Sequence, residues 1–88
     1  MITLEEERRR GEQARRLLDD PLLKEAFANV ETALREAWVA TADDATTERE
    51  RLWLMLKLLG RVRGDLGQVI ATGKLAARQL DEAAQPFA

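Results

Sequence analysis

Cysteine, histidine and tyrosine are absent from this 88-residue chain, and proline occurs only twice. Without cysteine no disulfide can brace the fold and no thiolate can act as nucleophile or metal ligand. Without histidine the usual general base near neutral pH and the commonest transition-metal ligand are both missing. The expectation is therefore a non-enzymatic protein with no metal, cofactor or small-molecule substrate. Long apolar runs are lacking as well. The longest is interrupted by Lys57, far too short to span a bilayer, and the opening "MITLEEERRRGEQARR" is too charged for a secretory signal, so a soluble chain is expected and no membrane partner. At this length the chain forms one domain, 1–88, with a thin core.

Charge is abundant and unevenly placed. Residues 1–44 hold 7 basic and 11 acidic side chains, a net of -4, whereas residues 45–80 hold 7 basic and 3 acidic, a net of +4. The two halves attract one another, within a subunit or between subunits, although screening limits what exposed charges contribute.

Helix signals run along the whole chain, and strand signals are absent. Thr3 and Glu6 have capping-box spacing, and Leu4, Gly11, Ala14, Leu17 and Leu18 make a narrow apolar stripe, predicting a helix over about 4–18. Asp20-Pro21 supplies an N-cap and a first-turn proline for a second segment over 21–41. There Leu23, Phe27, Val30, Leu34, Ala37 and Thr41 share one face. After the turn-rich "TADDATT", Thr47 and Glu50 repeat the capping-box spacing and predict a helix over 47–84. Its seam reads Leu52, Met55, Leu59, Val62, Leu66, Val69, Gly73, Ala76 and Leu80, and Pro86 ends the run. The fold class is all-α: an antiparallel helical hairpin of two long amphipathic helices, with an additional or kinked N-terminal helical segment.

On a helical wheel, Trp53 falls roughly opposite that seam and Leu54 lies off it. Gly60, Gly64, Gly67 and Ala71 follow spacings of four, three and four on the same side as Trp53. Each interior glycine costs about 1 kcal/mol relative to alanine, a cost that close approach of another helix can offset. Trp53, Leu54, Gly60, Gly64, Gly67 and Ala71 are thus the expected interaction surface. The alternative is a kinked or frayed helix in which the glycines turn the chain.

Other motifs carry less. "GQVIATGKL" has five residues between its glycines where a phosphate-binding loop has four, and Leu75 stands where a Ser or Thr holds magnesium. "RGD" at 63–65 lies inside the third predicted helix. The arginines at 8, 9, 10, 15 and 16 are interleaved with Glu5, Glu6, Glu7 and Glu12, the pattern of a salt-bridged helix face more than of a phosphate-binding site. Asp19-Asp20 and Asp43-Asp44 sit where caps and turns use aspartate.

The combination of "LLDDPLLKEAF", Ala37-Trp38 with Thr41, "RERLWLMLKLLGRVRG" and "TGKLA" resembles a group of small uncharacterised helical proteins of tailed bacteriophages and prophages. The resemblance spans roughly residues 11–77 and leaves out the N-terminal arginine run and the "QPFA" tail. It implies a phage origin and a role in virion morphogenesis, in the host cytoplasm during assembly or in the virion itself. Three readings follow. The first is a helical interaction module that self-associates into a homo-oligomer or docks on a larger phage structural protein. The second is a nucleic-acid-binding packaging component resembling a small terminase subunit. The third is a small inhibitor or regulator of a host protein.

Overall fold

The computed structural model describes residues 2–85, which form three α-helices: α1 Leu4–Asp19, α2 Pro21–Val39 and α3 Thr46–Ala84. The expected stop at Pro86 lies outside the described residues. No described helix is long and apolar enough to cross a membrane.

Local chemistry sets the boundaries. The Thr3 hydroxyl accepts from the Glu6 backbone N–H at 3.1 Å and opens α1, whose first turn carries Glu5, Glu6 and Glu7 at the positive end of the helix dipole. Asp20 then leaves the helical region, with φ -64° and ψ 123°, and its Oδ1 accepts from the Leu23 N–H at 3.0 Å. Pro21 is the first helical residue of α2, where its missing donor has no helical partner to lose. One aspartate therefore ends α1 and begins α2.

α2 stops at Val39, two residues before the expected end. There the Thr41 N–H and hydroxyl both donate to the Trp38 carbonyl, at 3.1 and 2.6 Å, closing the last turn. The start of α3 departs from expectation too. The helix begins at Thr46 after an Ala45 N-cap that makes no side-chain capping bond, so Thr47 is already helical and the Thr47–Glu50 capping box does not form. A turn from the Ala45 N–H to the Ala42 carbonyl starts the helix early, and Ala45 then accepts from Arg49. α3 continues unbroken through Gly60, Gly64, Gly67 and Gly73, none with positive φ, so none of these glycines ends or turns the helix.

α1 and α2 both lie against α3, in an elongated molecule of 67 × 24 × 23 Å. The tightest packing is where α1 crosses α3. Gly11, Ala14, Gly73 and Ala76 are buried there, and α2 buries no residue fully. A Cβ on Gly11 would stand 2.8 Å from the Gly73 Cα, and one on Gly73 would stand 2.7 Å from the Gly11 Cα and 2.9 Å from the Glu7 carbonyl oxygen. Only glycine at both positions allows this approach.

Candidate interaction surface

The contact between α2 and α3 combines half-buried leucines, Leu23 and Leu34 on α2 with Leu52, Leu56 and Leu59 on α3, with two arginine–aromatic contacts. The Arg49 guanidinium sits 4.4 Å from the centre of the Trp38 ring while its Nε donates to the Thr41 hydroxyl at 2.7 Å. Further along, Arg63 covers the Phe27 ring at 4.8 Å and reaches Glu31 at 3.5 Å. Glu31 also accepts from Arg35 at 3.0 Å, and Arg35, with Arg63 adding to it, holds the Glu31 carboxyl below its ordinary range. These groups are accessible to water, so each contact adds little on its own.

This geometry corrects the predicted seam. Leu52, Leu59, Leu66, Val69, Gly73, Ala76 and Leu80 are covered as expected, but Met55 and Val62 are each 51% exposed. Leu56 and Arg63 take their places. A three-and-four alternation assigns one continuous face to α3, whereas α2 and α1 cover different faces of it: α2 lies over Leu56 and Arg63, and α1 over Val69 and Gly73. An apolar stripe that drifts about 20° per heptad on a straight helix passes from one cover to the other.

Trp53 moves with the seam. It does not lie opposite α2 but flanks it, lining an open cleft with Arg35, Trp38, Val39 and Leu56. It stays 52% exposed, with the Lys57 ammonium 4.5 Å over its ring, and Leu54 is 47% exposed. Gly60, Gly64 and Ala71 are exposed and Gly67 is half-buried. A Cβ at Gly60, Gly64 or Gly67 would meet nothing within 4 Å. The six expected residues thus leave a smooth, open surface, and the glycines that do permit a close helix approach within the chain are Gly11 and Gly73.

The sequence carried a signal for that crossing: a glycine followed three residues later by alanine occurs on both helices, Gly11-Ala14 and Gly73-Ala76. A second surface was hidden by the seam assignment. Met55, Leu58 at 63% and Val62 are exposed on α3, and Val30 on α2 is 47% exposed.

The basic cluster of α1 is partly neutralised. Arg8 pairs with Glu5 and, at 2.8 Å, with Glu12. The Arg8 hydrogen bond holds the Glu5 carboxyl below its ordinary range. The open surface beside this cluster is lined by Glu6 and Glu12 as well as by Arg9, Arg10 and Arg16, so phosphates approaching it meet both signs of charge. Among the described residues no group of three or more Asp or Glu side chains is placed to hold a metal ion. No protein-family model, no curated protein and no solved structure matches this chain.

Proposed function

We propose that the chain is a non-enzymatic helical interaction module, an antiparallel hairpin in which α1 and α2 run back along α3, and that it acts in phage virion assembly by self-association or by docking on a larger structural protein. The hairpin reading is supported by the order of partners along α3: Arg49 meets Thr41, Arg63 meets Glu31, and Gly73 meets Gly11. The phage assignment rests on the sequence resemblance.

One observation carries the interaction role. Among the described residues the buried apolar side chains are Ala14 and Ala76, and no large side chain is fully buried. A folded chain of 9.9 kDa ordinarily exposes about 5200 Å². This one exposes 7126 Å², roughly 1900 Å² more. Part of that difference follows from the elongated shape, and a standard protein interface takes about 800 Å² from each partner, less than the difference. Two apolar surfaces are available, the Trp53–Leu54 side with its glycine stripe and the Met55–Leu58–Val62 side.

The test against the packaging reading is a duplex-DNA binding titration over a range of salt concentrations. An interaction module leaves DNA unbound even at low salt. Binding that weakens steeply as salt rises would overturn the reading in favour of a packaging component.

A further inference from the structure

We propose that the Met55–Leu58–Val62 face is an isologous interface, covered in solution by the same face of a second copy running antiparallel. The proposal rests on the interaction-module reading and names its partner.

The face is self-complementary about Leu58. Arg51, Met55, Leu58, Val62 and Asp65 are spaced four, three, four and three, the alternation that keeps side chains in one line along a helix. All five are exposed. When two such helices cross antiparallel with Leu58 on the two-fold axis, residue 51 of one copy lies level with residue 65 of the other, and residue 55 lies level with residues 61 and 62. Met55 then packs on the partner's Val62 and Arg51 meets the partner's Asp65, twice by symmetry. Within the chain, no ion pair among the described residues uses Arg51 or Asp65.

α2 extends the same face. With α2 antiparallel to α3 and packed over Leu56 and Arg63, rotations of about 100° per residue bring Ala26, Val30 and Ala33 to the side on which Met55, Leu58 and Val62 lie. All three are exposed. Two copies thereby close a four-helix arrangement of two α2–α3 pairs, with small alanines letting the facing helices approach.

The position of α1 selects the antiparallel mode. Val69 lies one heptad beyond Val62 on the same face, and α1 already covers it: a Cβ on Gly11 would stand 3.2 Å from the Val69 carbonyl oxygen. A parallel copy would set one α1 against the other. An antiparallel copy places the two at opposite ends, and each α1 limits how far its partner can slide.

The experiment measures dimer dissociation by sedimentation equilibrium for the intact chain, Arg51→Glu, Arg51→Glu with Asp65→Arg, and Trp53→Asp, with circular dichroism confirming unchanged helix content. The interface predicts that Arg51→Glu weakens the dimer about tenfold through two reversed pairs, that the double exchange restores it, and that Trp53→Asp leaves it intact. Because the chain lacks cysteine, Leu58→Cys gives a separate readout and forms a disulfide-linked dimer on mild oxidation. A monomeric intact chain overturns the second-copy assignment while leaving docking on a larger protein standing. A dimer that Trp53→Asp dissociates and Arg51→Glu does not overturns the choice of face. DNA binding is read in the separate salt titration, so failure of the underlying reading is distinguishable from both.

Discussion

The two ends of α3 are covered by opposite strategies. Toward its C-terminal end, α1 lies so close that backbone touches backbone at Gly11 and Gly73, and two alanines complete a small closed core. Toward its N-terminal end, α2 stands off on Phe27 and Trp38, held by Arg63 and Arg49, and Met55, Leu58 and Val62 remain open to water. Small residues make a contact that excludes any third party, because no room is left. Large rings and long arginine stems hold two helices together while leaving one side of the pair unfinished, and an unfinished apolar side is what a second chain can use.

The same residue type behaves oppositely under the two helices: Gly73 is closed in by α1, and Gly64 is open. Gly73→Ala puts a methyl group 2.7 Å from the Gly11 Cα and 2.9 Å from a carbonyl oxygen, both backbone atoms that cannot swing aside. Overpacking costs about 1–3 kcal/mol, more than the roughly 1 kcal/mol that alanine gains in helix propensity. The variant should melt earlier than the parent, and hydrogen exchange should show lost protection in α1. A rise in melting temperature would mean that the two helices do not approach so closely.

Gly64→Ala sharpens the contrast with a smaller effect of the other sign. Its new methyl group meets nothing within 4 Å, so the propensity gain of up to about 1 kcal/mol is realised in full. Thermal melting should move upward with helicity while the oligomeric mass stays constant. Loss of the oligomer would return the glycine stripe, with Trp53, Leu54, Gly60, Gly67 and Ala71, to the role of the self-association surface.

Much of the secondary structure was legible because its signals are local. Asp20-Pro21 marked the break between α1 and α2 through capping chemistry that depends on adjacent residues alone. The turn-rich "TADDATT" marked the break between α2 and α3, although the connection runs over residues 40–45, one to two residues earlier than the predicted helix ends place it. The Thr47–Glu50 spacing failed because a capping box is a frequent pattern, and here a turn through Ala42 starts the helix sooner.

The seam was half legible. It held at every position from Leu66 to Leu80, under α1, but under α2 it held only at Leu52 and Leu59 and shifted by one residue at Met55 and Val62. Periodicity reports that a helix has an apolar side, but it does not report that two neighbours divide that side between them. The choice between Val62 and Arg63 was decided by Phe27 and Glu31, which receive the arginine from another helix. Sequence spacing within α3 contains no trace of that pairing. The same shift took Trp53 from the far side to the edge of α2, and left Met55 and Val62, which the assumed seam had counted as core, on an open apolar face with Leu58.

In the proposed dimer, the open face beside α2 and α3 lies between copies of this chain. The most direct test is the absolute mass of the purified protein by light scattering after gel filtration, at low and at high salt. The apolar face predicts a discrete species of twice the 9.9 kDa chain mass at both salt concentrations, because burial of Met55, Leu58 and Val62 is not screened. A species of 9.9 kDa at both would contradict it.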